Sequence, residues 1–289
     1  MYGIYRDTIK ESKVVLCNND AISGMRNLLC SEYVVDVIVT SPPYNLGINY
    51  KSYNDSVSRD DYLNWMDSWA KVACDVLSDK GSLFLNMGSK PSSPWGPFEV
   101  AGILRKYFNL QNVIHWVKSI AVPGSSESDR DYDTVCGHYK PINSKRFLND
   151  CHEYIFHFTH NGDVLLNREA IGVPYKDKAN VERWKNNKSR DLHCRGNTWF
   201  VPYETIQRRE TDRPHPATFP VSIPEMCMKL HGISRINYCL DPFMGIGSTA
   251  VAAVNLGVDF VGFEIDKYYF EETMLICANL IREKKNDSI

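Results

Sequence analysis

Asp36-Val37-Ile38-Val39-Thr40-Ser41-Pro42-Pro43-Tyr44 reads as the end of a buried strand that runs into a rigid turn. Apart from Asp36, residues 34–40 are almost continuously apolar and rich in β-branched side chains, as in a strand covered on both faces of a parallel sheet. Neither proline can donate a ladder hydrogen bond, and each holds φ near about −65°. The strand therefore stops at Ser41, and the turn presents a hydroxyl and an aromatic ring.

Outward from this stretch, strands and helices alternate. Residues 14–17 form a short apolar strand, Asn18-Asn19-Asp20 a capped turn, and residues 20–29 place Ile22, Met25, Leu28 and Leu29 at helical intervals. Beyond the turn, residues 45–60 are polar, contain Gly47 and are expected to form a mobile loop. Residues 61–77 repeat apolar positions at three and four, with aspartates near the start, and predict an amphipathic helix. Strands follow at 81–88 and 112–118, with a helix at about 98–107 between them. The rhythm breaks between about 119 and 216, where only residues 154–158 read firmly as a strand. It resumes with a helix at 221–231, a strand at 236–240, a helix ending near 255, a strand at 260–264 and a final helix from 266 to about 282. This alternation predicts a doubly wound α/β sheet.

The chain has 289 residues, 43% hydrophobic and 24% charged, ordinary for a folded soluble protein and enough for one large domain or one plus a smaller one. A net charge of −2 means that nucleic acid would be held only by a local basic surface. Residues 1–10 lack the apolar core of a signal peptide, and no run approaches the roughly 20 residues that span a bilayer. A cytoplasmic protein without a membrane partner is expected. The nine cysteines, scattered from Cys17 to Cys277 without C-x-x-C spacing, argue against a disulfide framework and against a zinc site; they are expected to be reduced and mostly buried, and no metal is expected. His152-Glu153 and His157 are one residue too far apart for a helical zinc pair and read instead as part of a strand.

Gly245-Ile246-Gly247-Ser248-Thr249-Ala250 fits G-x-G-x-x-G/A, follows a predicted strand and precedes a predicted helix. With Glu264 at the end of the next strand, placed to accept from ribose hydroxyls, it meets the context expected of a nucleotide site. Those residues leave the ligand open: a dinucleotide would set its pyrophosphate on the helix N-terminus, whereas S-adenosylmethionine asks the same turn for close backbone approach. The most basic part of the chain carries Lys176, Lys178, Arg183, Lys185, Lys188, Arg190 and Arg195, with Trp184 and Trp199 in or beside it. Cations track phosphates and aromatic rings stack on bases, so a nucleic-acid-reading insertion and a solvated loop anchored by its tryptophans both fit. Arg208, Arg209 and Arg213 read equally as phosphate clamps or as surface charge.

Ser41-Pro42-Pro43-Tyr44, Asp241-Pro242-Phe243 with its glycines, and residues 260–266 together resemble the amino-methylating DNA methyltransferases. Their order, catalytic turn first and cofactor loop late, is similar to the circularly permuted β group of that family. The resemblance implies a Rossmann-like S-adenosylmethionine-dependent sheet divided into a catalytic half over residues 1–158, a target-recognition insertion over 159–215 and a cofactor-binding half over 216–289. It implies Ser41, Pro42, Pro43 and Tyr44 as catalytic residues. Cofactor binding falls to Asp20, which reads equally as a helix cap, to Thr218, Phe219 and Pro220, to Asp241, Pro242 and Phe243, to Gly245, Gly247, Ser248 and Thr249, and to Glu264. The expected partners are double-stranded DNA and a companion restriction endonuclease, with the chain acting as a monomer or a homodimer.

An exocyclic amino group is a poor nucleophile because its lone pair is delocalised into the ring. Acceptors aimed at its two N–H bonds, the Ser41 hydroxyl and the Pro42 carbonyl held by Pro43, would favour a pyramidal nitrogen. Tyr44 would stack on a base flipped out of the duplex, and the proton lost would pass to solvent or to a group the sequence does not identify. Serine in the first position is the more usual companion of cytosine-N(4) methylation, so that product is expected, with adenine-N(6) as the alternative. No Pro-Cys dipeptide occurs, which argues against carbon-5 methylation. From other classes, an NAD-dependent dehydrogenase accounts for the glycine turn alone, and a non-catalytic DNA-binding module for the basic segment alone.

Overall fold

The computed structural model describes residues 3–9, 12–48, 54–91, 93–122, 134–137, 141–178, 191–202 and 218–286. In chain order these build β1 (Ile4–Ile9), β2 (Ser12–Asn18), α1 (Ala21–Leu28), β3 (Val35–Thr40), α2 (Arg59–Val76), β4 (Leu77–Met87), α3 (Gly96–Leu104), β5 (Asn109–Val117), β6 (Ser119–Val122), β7 (Thr134–Gly137), β8 (His152–Thr159), β9 (Thr198–Phe200), α4 (Ser222–His231), β10 (Tyr238–Asp241), α5 (Ser248–Leu256), β11 (Asp259–Glu264) and α6 (Lys267–Asn286). Nine strands form one sheet in the order β1-β2-β11-β10-β3-β4-β8-β5-β9, with β6 and β7 paired separately.

Counted from β10, the run β2-β11-β10-β3-β4 has the 3-2-1-4-5 order of a doubly wound sheet. All four pairings within it are parallel, while β8 enters antiparallel between β4 and β5. β2, the first strand of this run in the sequence, thus stands third in the usual winding, and Lys285 of α6 pairs with Asp7 of β1 at 3.3 Å. The sheet is covered on both faces, as the apolar runs require. Val37 and Val39 join the core layer under α4, α5 and α6, and Ile38 joins the layer under α1 and α2.

Several local features depart from the sequence reading. β1 adds a hairpin partner, antiparallel to β2, where the sequence reading has no strand. β4 begins at Leu77 rather than Gly81, because α2 gives way to extended backbone at Leu77 (φ −75°, ψ 133°) with no glycine or proline between them. In the expected mobile loop, Asp55 is only 2% exposed. It accepts from the backbone N–H groups of Asn45, Leu46 and Ile48 at 2.8–3.0 Å, which ties the described ends of that loop together. The 152–158 stretch is strand, as read. Of the cysteines, Cys227, Cys239 and Cys277 are buried, whereas Cys30 and Cys194 are exposed. No helix among the described residues is long and apolar enough to cross a membrane.

Candidate active site

Neighbouring strands β10 and β3 are where the winding reverses, and a crevice opens beyond their carboxyl ends. Asp241 ends β10 with its side chain 2% exposed. One oxygen accepts from the Thr40 hydroxyl of β3 at 2.7 Å and from the Phe243 N–H at 3.0 Å, and the other from the Thr249 hydroxyl of α5 at 2.6 Å. Burial raises its pKa to about 6 against these bonds. One carboxyl group thus fastens the residue before Ser41 to the glycine loop.

In that loop Gly245 and Gly247 have φ of 56° and 85°, left-handed backbone that glycine adopts without strain. A Cβ at Gly247 would also stand 2.4 Å from Thr273 Cγ2, whose hydroxyl donates to the Gly245 carbonyl at 2.9 Å. Glu264, ending β11, accepts from the N–H of Gly245 and of Asp266, each at 2.8 Å. Burial pushes its pKa up to about 7 in spite of the two donors. A carboxyl group whose folded pKa lies above its unfolded value stabilises the fold below the unfolded pKa and loses that contribution as pH rises through the folded one. Replacing Glu264 by Gln should therefore narrow the stability gap to wild type as pH rises from about 4.5 to 7, by up to about 3 kcal/mol. Urea unfolding midpoints of the two proteins across that range check this; a constant gap contradicts it.

Past β3 the turn is held from several sides. The Tyr62 hydroxyl of α2 donates to the Pro43 carbonyl at 2.9 Å. Asn45 has φ of 56°, and its side chain bonds the Val57 N–H and C=O, each at 3.0 Å. The Ser41 and Tyr44 hydroxyl oxygens are 2.6 Å apart, and Tyr44 reaches Asn86 at 2.8 Å and Glu153 at 3.2 Å. Phe243 packs against Trp65 and Trp69 of α2, centroids 5.5 and 5.7 Å away.

The crevice encloses about 1030 Å³ of empty space, the solvent at its opening included. It brings together Asp20, all four residues of the 41–44 turn, Thr218, Phe219, Asp241, Pro242, Phe243, Gly245, Ser248 and Glu264. Pro220, Gly247 and Thr249 are not on its wall; Thr249 lies behind it on Asp241. Asp20 caps α1, accepting from the Ser23 N–H at 3.0 Å, and also lines the crevice. The sequence reading missed Trp65, Ile265, Asp266 and Tyr269 in the wall. Trp65 lies on the apolar face of a predicted helix and carried no other mark; Asp266 and Tyr269 open the final predicted helix beside Glu264.

The wall carries Asp20, Asp241, Glu264 and Asp266, and no Lys, Arg or His among the described residues. It suits a cationic, hydroxyl-bearing ligand such as a sulfonium nucleoside, with aromatic faces at Phe243, Trp65, Phe263 and Tyr269 for its apolar parts. Among the described residues it offers no cation to a pyrophosphate.

Basic residues in the 176–213 stretch are only partly described. Lys178 pairs with Asp191, and the Arg195 guanidinium donates to the Ile171 carbonyl at 2.9 Å; Lys176 is exposed. Arg183, Trp184, Lys185, Lys188, Arg190, Arg208, Arg209 and Arg213 lie outside the described residues. Trp199 is fully buried on β9, beside β5, the anchoring alternative for that ring.

A family profile described as DNA methylase matches residues 35–275. Type II methyltransferase M.HpaI of Haemophilus parainfluenzae is 26% identical over 262 residues, 89% of this chain and 71% of that protein. DNA adenine methyltransferase YhdJ of Escherichia coli (strain K12) is 25% identical over 266 residues, 90% of this chain and 81% of that protein. Among solved structures, the M1.HpyAVI-SAM complex aligns with a TM-score of 0.55 at 19% identity, over 91% of this chain and 99% of that one, a likeness of fold.

Proposed function

The chain belongs to the N6/N4 DNA methylase family, and on that premise we propose that it is a site-specific enzyme transferring a methyl group from S-adenosylmethionine to the N(4) amino group of cytosine in duplex DNA. The observation that carries the reading is the meeting of the Ser41–Tyr44 turn and an acid-walled nucleoside crevice at one switch point. Bound S-adenosylmethionine supplies an electrophilic methyl carbon on a sulfonium centre.

Glu264 and Asp20 would hold its ribose and adenine. The Glu264 oxygens each keep a lone pair beyond the backbone donor already in place. Thr218, Phe219 and Pro220 would lie against the methionine end, and Phe243, braced by two tryptophans, would shape the wall. The Ser41 hydroxyl oxygen and the Pro42 carbonyl would accept from the amino N–H bonds of the flipped base, while Tyr44 stacks on it. Extrusion costs a few kcal/mol, which stacking worth about 1–3 kcal/mol offsets in part. A nicotinamide dinucleotide is disfavoured by the anionic wall.

Ser41 is the support for cytosine; the second reading, adenine-N(6), is supported by the likeness to YhdJ. DNA recognition is proposed for the insertion over residues 159–215, in a cytoplasmic protein working beside a restriction endonuclease, as a monomer or homodimer. Incubation with S-adenosylmethionine and duplex DNA of varied sequence, then digestion and mass spectrometry of the nucleosides, is expected to yield N(4)-methylcytosine. Methyladenine alone would move the assignment to the second reading, and no methylated nucleoside would refute both.

A further inference from the structure

Glu153 is a charged group that the scheme above leaves unused. It sits on β8, which brings it beside β4 and behind Tyr44, with its side chain 16% exposed. One carboxylate oxygen accepts from the Asn86 amide at 2.7 Å and the Tyr44 hydroxyl at 3.2 Å; the other accepts from the Lys118 ammonium at 2.9 Å. Space is kept for this stack: a Cβ at Gly88 would stand 2.9 Å from the Tyr44 ring and 3.2 Å from the Glu153 carboxyl carbon.

Donor and acceptor roles follow from counting protons. A carboxylate only accepts, so the single phenolic proton of Tyr44 is committed to Glu153. The Tyr44 oxygen then accepts from Asn86 at 2.8 Å and from Ser41 at 2.6 Å. Ser41 has one proton and has now used it, so its lone pairs are what remain for an incoming N–H group. The arrangement comes at the expense of Asn86, whose buried carbonyl oxygen has no hydrogen-bond partner among the described residues. An unpartnered buried amide oxygen costs stability, and a catalytic role is one reason such a group is kept.

We propose that Glu153 is a positioning residue for methyl transfer: it fixes Ser41 as an acceptor and, through Tyr44 and Ser41, receives the proton that the target amino group loses. The inference rests on the amino-methyl reading above. The nitrogen lone pair forms the new N–C bond as the S–C pair returns to sulfur. The nitrogen then gives a proton to Ser41, whose own proton passes to Tyr44 as the Tyr44 proton passes to Glu153. A sulfonium and a carboxylate become a thioether and a carboxylic acid, so charge balances, and the acid afterwards returns its proton to solvent.

Charged and titratable neighbours are Lys118 from the end of β5, held near the Trp116 ring at 5.9 Å, and Asp150, His152 and His115 further out. Burial alone would raise the Glu153 pKa, but Lys118 and the bonds from Asn86 and Tyr44 outweigh it and hold it below the usual carboxylate value. The acceptor is thus ionised at neutral pH.

Single-turnover methylation of DNA against pH tests the route. Wild type should be nearly flat from about pH 6 to 9, while Glu153→Gln, which keeps the shape but cannot take a proton, should be about 100-fold slower at pH 7 and gain about tenfold per pH unit above it. Tyr44→Phe leaves the Glu153–Lys118 pair intact and should show the same slope, so the test survives a Gln variant that fails to fold. Calorimetry should give unchanged S-adenosylmethionine affinity in both. Infrared difference spectra of wild type against Glu153→Gln at neutral pH should contain a carboxylate band. Wild-type rate in either variant, a slower but flat profile in both, or a protonated carboxyl band would overturn the role of Glu153. A wild type that methylates no DNA would instead overturn the reading beneath it, and this proposal with it.

Discussion

Ser41→Ala is expected to slow methyl transfer about 1,000-fold, the upper end of what one lost hydrogen-bonding group costs at a developing charge, while the methyl donor still binds. The reasoning is local. Ser41 is half-buried on the wall of the crevice, so losing one oxygen leaves little cavity. Its neighbour Thr40, which makes the structural bond to Asp241, is untouched, and the turn stays braced by Tyr62 and Asn45. What disappears is the proposed acceptor for the amino N–H, together with the proposed link between that nitrogen and Tyr44. Single-turnover rates with calorimetry of S-adenosylmethionine binding separate the two effects. A rate equal to wild type would falsify the acceptor assignment.

Asp241→Ala acts on the frame instead. Three donors from three segments converge on this carboxylate, and in the alanine protein all of them face a buried void. Each buried donor left without its acceptor costs about 1–3 kcal/mol, and the three together amount to a large fraction of the ~5–15 kcal/mol that holds a domain together. Asp241→Asn keeps an acceptor for Thr40 and Phe243, lets the Thr249 hydroxyl turn to accept, and removes a charge whose pKa burial has raised to about 6. It should cost about 1 kcal/mol, the net worth of one hydrogen bond. The expected order of urea midpoints at neutral pH is wild type, then Asn, then Ala well below. An alanine protein as stable as the asparagine one would show that the carboxylate is not the fastening.

What could be read in advance follows from how local each signal is. Pro42 and Pro43 forbid a ladder wherever they stand, so the end of β3 needed no tertiary information. Gly245, Gly247 and Glu264 carry their meaning in spacing between a predicted strand and helix, and all three fall in or beside the crevice. Glu153 had no such mark. It stands in a stretch that reads only as strand, and it reaches Tyr44 across 109 positions because β8 turns antiparallel beside β4. Asp241 announced a family resemblance but not its bond to Thr40, which depends on which strand lies next to β10. The junction of α2 and β4 was misplaced for a related reason: Leu77 breaks the helix through tertiary pairing with Val35, not through a breaker residue of its own.

The meeting of β3 and β10 also sets a timetable for the nascent chain. Thr40 and Asp241, which bond to each other across the centre of the sheet, are 201 positions apart, and translation at ~5–20 residues per second separates them by tens of seconds. Through that interval β2 and β3 have emerged, but β10 and β11, the strands that fill the gap between them, have not. Two apolar strand edges that end up central are left without neighbours, the kind of surface that invites pairing with another chain. The centre of the sheet is therefore completed only after residues 238–264 have been made, and the turn at Ser41 acquires its surround only then.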